Sequence, residues 1–254
     1  MKPIDFYKSG RIRAEHLLKL AELLTNTRER KMRKDWGQKF KGLMHWTKKE
    51  VIDRVDGTGA LLILRETSGV TAAHFEDEYL SELLRASLVG IVAAVDRYCH
   101  ELVCQRVIKQ LKRPSKASGE LRRVTLPLLV ATTAISHGKK KGTRPMNIIK
   151  SCLQDQFHRS TFQRSDDIAR ALRIIGVTNL WPRCATRLGT TSQEIETKLN
   201  SIVDHRNRIV HEGDIFRRKR GGKISYHPIT PKQVTKDIIW ISDLVDAIDA
   251  IVAP

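Results

Sequence analysis

Cysteine is scarce in this 254-residue chain, and aromatic residues make up only 6% of it. The four cysteines, Cys99, Cys104, Cys152 and Cys184, fit no zinc-binding spacing. Cys99, His100 and Cys104 lie in a helical pattern, so no metal or other cofactor is expected there. Reduced thiols in a cytoplasm are the simple expectation. Long hydrophobic runs are missing too. The longest apolar-rich stretch, residues 124 to 135, carries Pro127 and three threonines and is too short to span a bilayer. The opening residues, MKPIDFYKSGRIRAEHLLKL, contain no apolar core of the secretory kind, so no secretory signal is expected. Well-formed alternating strands and internal repeats are also not found.

Positive charge is what the chain has in excess. Lys and Arg number 46 against 28 Asp and Glu, a formal net charge of +18. That excess bears on partners rather than on fold. Nucleic acid is the leading candidate, because neutralising phosphates releases counterions. An anionic membrane surface or an acidic protein is a weaker one. Hydrophobic content of 41% is enough for a real core.

The apolar spacing predicts helices. Residues 14 to 24 are helical in pattern and are followed by a dense basic run. Residues 75 to 108 read as one long helix or two, with Leu80, Leu83, Leu84, Leu88, Ile91, Val92, Val95 and Leu102 near a 3.6-residue period. Glu76, Asp77 and Glu78 fall in its first turn, where the helix dipole favours them. Residues 109 to 123 and 137 to 145 read as loops. A helix is predicted over 167 to 175, capped by Asp166 and stopped by Gly176. Another starts near 190 to 192 and ends at Gly213. After a linker over 216 to 229, Thr230 and Pro231 open a last helix. Its stripe is Val234, Ile238, Ile241, Val245, Ile248 and Val252. The expected architecture is all-α: a helical bundle over 71–254 with a basic helical N-terminal extension over 1–70.

One segment concentrates ionisable groups beside apolar ones: DHRNRIVHEGD, residues 204 to 214. On its helix, Ile195, Leu199, Ile202, Arg206 and Ile209 are spaced 4, 3, 4 and 3, so Arg206 sits on the apolar stripe. An arginine there is costly unless it is paired or faces a cleft. Asn207 and His211 are four apart and share a face, so the amide is expected to hydrogen-bond the imidazole and fix its tautomer. His211 in the last turn, beside Glu212, is placed to exchange protons near neutral pH. Arg206 and His211 point roughly 140° apart at about 100° per residue. They converge only through the long arginine arm, a distorted helix end or a second chain.

The sequence Arg206-Asn207, then His211 near the end of a late helix, resembles the HEPN superfamily of helical RNA-cleaving domains. LNSIVDHRNRIVHEGD, a loop, and ITPKQVTKDIIWISDLVDAIDAIV are most similar to its RiboL-PSP-HEPN branch. FEDEYLSELLRASLVGIVAAVDRYCHEL is similar to that branch's earlier long helix. The resemblance covers about 75 to 252. It implies a metal-independent endoribonuclease in which two protomers line one cleft with both motifs. His211 would be general acid or base, Arg206 would hold the scissile phosphate, and Asn207 would orient His211. The product would end in a 2′,3′-cyclic phosphate. A defence or toxin setting is implied too, which would add a neutralising protein partner. Family members paired with nucleotidyltransferase antitoxins often carry a tyrosine two residues past the histidine. Gly213 stands there in this chain, so that partnership is not carried over.

Among the basic runs, at 28 to 34, 112 to 116, 139 to 141 and 217 to 220, the last follows the motif most closely. Arg217, Arg218, Lys219 and Arg220 are therefore the expected RNA contacts. Trp36, Trp46, Trp181 and Trp240 offer faces for stacking on bases, though most are expected in a core or interface. His205 reads as an ordinary helix histidine without a fixed partner, and Asp204 as a solvated acid or an arginine's partner. Asp96, Arg97 and Tyr98 are candidates for a helper role. The rival functions are a HEPN-like module that holds RNA without cutting it, and a scaffold that binds protein.

Overall fold

A computed structural model of the chain describes residues 1–253 apart from 26, 27, 31, 58, 113–116, 139–144, 159 and 217–223. The longest helix, α3 (Asp77–Leu111), runs through the middle as one uninterrupted element. At 1.5 Å per residue it is about 52 Å long. Its faces carry Leu84, Leu88, Ile91, Val92, Val95, Tyr98, Leu102 and Val107, all buried. The other helices gather on it: α1 (Pro3–Leu24), α5 (Pro145–His158), α6 (Ser165–Ile174), α8 (Ser192–Glu212) and α9 (Pro231–Val252). α7 (Leu180–Leu188) packs against α8 and α9, and α4 (Leu128–Gly138) against α5. With α2 (Lys34–Leu43), the described residues form nine α-helices, in keeping with the all-α expectation.

Local signals explain the ends of the helices nearest the motif. Thr191 caps α8 reciprocally with Glu194: each side chain bonds the other's backbone N–H, at 3.2 and 2.9 Å. Gly213, in the left-handed region at φ 61°, stops it. Thr230 caps α9 and Pro231 opens it. All six residues of the expected α9 stripe are buried.

Three expectations give way. The helix expected to be capped by Asp166 is capped by Arg164, and Asp166 lies in the first turn. The reason is tertiary: the Asn200 amide of α8 accepts from the Ser165 N–H at 3.1 Å and donates to its hydroxyl at 3.0 Å. The loop predicted over 109 to 123 begins later, because α3 continues to Leu111. It also contains a 3-10 turn, Leu121–Arg123. Finally, the N-terminal segment is not purely helical. Strands β1 (Arg28–Arg30), β2 (Ile52–Asp56) and β3 (Leu61–Arg65) form an antiparallel sheet in that order. They have three to five residues each, too few for alternation to reveal.

α1 joins the common core through Tyr7, Ala14, Leu18 and Ala21. The Tyr7 and Ser242 hydroxyls meet at 2.8 Å between α1 and α9, and Ser87 donates to the Ala14 carbonyl at 2.7 Å. Gly10 permits the close approach of α1 to α3: a Cβ there would lie 2.6 Å from the Ala94 Cβ. Gly10→Ala is therefore expected to lower stability by about 1–3 kcal/mol through overpacking, despite a helix-propensity gain of about 1 kcal/mol. Gly42→Ala, where nothing lies within 4 Å, should not lower it. Urea midpoints of the two variants make the comparison.

Candidate functional site

The segment 204 to 214 occupies the last turns of α8 and the tight turn beyond. Gly213 and Asp214 are both left-handed, at φ 61° and 56°. Aspartate is among the few residues besides glycine that adopt this conformation readily. The two together fold the chain back under the helix end. The Asp214 N–H donates to the Arg208 carbonyl at 3.1 Å, and the Asp214 carbonyl accepts from the His227 N–H at 2.9 Å. Ile215 and Tyr226 then pair as an isolated antiparallel bridge.

This turn puts the Asp214 carboxylate in the interior, 0% exposed. Its main partner is Arg85 of α3, itself 4% exposed, whose Nε donates to Oδ2 at 2.9 Å. The same guanidinium donates to the His227 carbonyl at 2.9 Å and to Glu82 at 3.0 Å, and the Tyr226 ring centroid lies 5.3 Å from it. Two further groups of α8 face the carboxylate beyond hydrogen-bond distance: His205 Nε2 at 3.6 Å and Arg208 Nε at 3.9 Å. Burial pushes the His205 imidazole below its ordinary value, against the opposing pull of Asp214. His205 thus has a partner, which its sequence reading does not supply.

Arg206 lies half-buried on the inner side of α8. Its Nη1 donates to the Asn207 amide oxygen at 3.0 Å. Its Nε is buried with no acceptor among the described residues. His211 is exposed, and no hydrogen bond to Asn207 or Arg206 holds its ring. The structure thus joins Arg206 to Asn207, and the Asn207–His211 hydrogen bond expected from their spacing is not formed. The amide oxygen is instead engaged by the neighbouring guanidinium, a charged donor. Asp204 pairs with Arg164 at the surface. Asp96 accepts from the Phe162 N–H, Arg97 pairs with Glu101 at 2.7 Å, and Tyr98 donates to Asp249 at 3.1 Å. None of those partners belongs to 204–214. Arg217, Arg218, Lys219 and Arg220 lie outside the described residues.

Beside the motif, α8 and the start of α9 enclose a cleft of about 980 Å³. Lys198, Ser201, His205, Arg208, Asp237 and Trp240 are among its walls. Asp237 is 5% exposed; burial pushes its carboxyl up, while a hydrogen bond from Gln233 at 3.0 Å works against that. Lys198 Nζ sits 5.0 Å from the Trp240 ring centroid. Arg208 precedes His211 by three residues, so the two are neighbours on α8, and Arg208 lines the cleft. Sequence reasoning missed Arg85, Asp214 and Asp237. The one local signal was an acid directly after the cap glycine.

Two stability measurements follow. Asp214→Ala leaves Arg85 buried beside a lost carboxylate and should cost about 3–5 kcal/mol. Asp204→Ala, at a half-exposed pair, should cost at most about 1 kcal/mol. Urea denaturation separates them. The folded state also lowers the pKa of His205, so its stabilising contribution is full above the unfolded value of about 6.5. That contribution is lost as pH falls through the folded value. His205→Gln should flatten the loss of stability between about pH 7 and pH 5.

A search of curated proteins and a search of solved structures returned no match. The family model of RiboL-PSP-HEPN matches residues 61–253, a span that takes in α3 and the whole of α8 and α9, with the motif at the end of α8. With the late helix, the returning turn and the final helix in that order, the chain belongs to the RiboL-PSP-HEPN family.

Proposed function

We propose that the chain is a metal-independent endoribonuclease whose site is completed by pairing two copies. The carrying observation is the contrast along one helix end. Arg206 is half-buried with an Nε that has no acceptor among the described residues, while His211, five residues on, is exposed and has no side-chain hydrogen bond among them. One group thus has donor capacity for a phosphate, the other is free to move a proton, and they stand on different sides of the helix. A second copy supplies the missing half of each.

In such a site one His211 takes the proton from a ribose 2′-hydroxyl. The freed oxygen attacks the adjacent phosphorus, and the leaving 5′-oxygen takes a proton from solvent, to which the imidazolium returns the one it accepted. The products are a 2′,3′-cyclic phosphate and a 5′-hydroxyl, with no water consumed. Arg206 stabilises charge on the phosphoryl oxygens as it develops. Asn207, bonded to Arg206, acts as a positioning residue for the guanidinium rather than for the imidazole. The cleft beside Arg208 gives the strand flanking the cut a place of mixed character, with two cations, a buried acid and an indole. We assign the catalytic unit to residues 71–254, with residues 1–70 as its N-terminal extension. Its setting is a microbial toxin or defence protein acting in the cytoplasm, held in check by a neutralising protein partner.

The test is cleavage of labelled structured RNA in EDTA. The wild type should cut and leave cyclic phosphate ends. His211→Ala should lower the rate by roughly 10²–10⁴, and Arg206→Ala by about 10²–10³. Binding of RNA by all three proteins without cutting by any would replace the enzyme with an RNA-holding member of the family.

A further inference from the structure

α2, β1 and β2 precede the first residue matched by the family model, Leu61, so the family reading leaves them without a task. They belong to the most basic part of the chain. From Arg28 to Lys49 there are nine Lys and Arg against two acids, so 22 residues carry +7 of the total +18. Aromatic residues are interleaved with this charge. Trp36 stacks on Phe40 with ring centroids 5.1 Å apart and planes 15° from parallel. Phe40 meets Trp46 edge-on at 5.6 Å, and the Arg65 guanidinium lies 4.6 Å from the Trp46 ring centroid.

This cluster is not a core. The residues that α2 buries are Gly37 and Lys41, while Trp36 is 41% exposed and Leu43 and Met44 are exposed beside it. Leaving an indole in water forfeits burial energy that a solely structural tryptophan would gain. The helix also flanks it with charge. Arg33 and Lys39 stand three residues before and after Trp36, at the spacing that makes side chains neighbours, and both are exposed. An accessible aromatic face between two accessible cations suits a single strand of nucleic acid: the base stacks and the flanking phosphates pair. A duplex hides its base faces. An acidic protein would use the cations and leave the ring face without a role.

We propose that α2 with Trp36, Phe40 and Trp46 is a platform for single-stranded RNA, on which a base stacks against Trp36 and flanking phosphates engage Arg33 and Lys39. The platform does not depend on whether the chain cuts RNA. It is therefore tested by binding alone, in EDTA, on the full chain carrying His211→Ala. The probe is a fluorescein-labelled uridine single strand of about 12 nucleotides, within the usual site size.

Trp36→Ala should weaken binding roughly tenfold without changing its salt dependence, and Trp36→Phe should keep most of the affinity. The double change Arg33→Gln, Lys39→Gln should weaken binding and lower the slope of log affinity against log salt by about 1.4, at roughly 0.7 per phosphate released. A duplex of the same length should not distinguish the wild-type surface from Trp36→Ala. If Trp36→Ala fails to fold, as judged by its melting temperature, Trp36→Phe and the double variant still decide. Unchanged affinity and slope in the folded variants would overturn the platform. So would Trp36-dependent binding to anionic phosphatidylserine vesicles with RNA binding unaltered.

Discussion

One ion pair organises the functional end of the molecule: Arg85 of α3 against Asp214, both withdrawn from solvent. A buried pair of this kind is weak as a source of net stability, since desolvation offsets most of its attraction. Its effect is to specify position. The carboxylate can reach the guanidinium only if the chain reverses directly after Gly213, and that reversal requires two consecutive left-handed residues. The pair therefore sets where α8 stops, how the following strand-like bridge returns, and how the last turn of α8 sits on α3. Arg206, Asn207 and His211 all ride on those turns. His205 and Arg208 face the same carboxylate at longer distance, so the polar interior of this end is one connected cluster, with an acid at its centre.

The geometry of α8 then divides the motif. The side of the helix that carries Arg206 also carries Ile195, Leu199 and Ile202, which are packed into the core. Its opposite side carries His211 into solvent. A guanidinium tolerates the boundary because its long apolar stem packs while its donors seek an acceptor. Among the described residues the Asn207 amide serves Nη1, and Nε has no acceptor. On the proposed reading a phosphate of RNA is a further partner of the guanidinium. On that reading a single copy would be an incomplete catalyst, because the helix itself holds the two groups apart.

Much of this was legible in the residues, and the limit is physical. The caps of α8 and α9 are local chemistry, with Thr191 and Glu194 at one start, Thr230 and Pro231 at the other, and Gly213 as a stop. The α9 stripe was likewise visible as periodicity, and so was the unbroken apolar face of α3. The Arg85–Asp214 pair was not, because 129 positions separate its members and neither is unusual in its own surroundings. The same applies to Asn200, which reaches across from α8 to set the start of α6. Spacing correctly puts Asn207 and His211 on one side of α8, but spacing does not reveal competition, and Arg206 takes the amide. The helices α2, α5 and α7 are short or weakly patterned, and the three strands are shorter still, so they emerge only once packing is known.

The most direct test of the composite site mixes two disabled proteins. Arg206→Ala and His211→Ala are purified separately, then unfolded and refolded together so that protomers exchange, and RNA cleavage is followed in EDTA. Each alone should be inactive, and the mixture should recover a substantial fraction of wild-type cutting. In the mixed pair one copy contributes the arginine and the other the histidine. A mixture as inactive as its components, under conditions where the wild type cuts and the copies are shown to pair, would contradict a site shared between two chains.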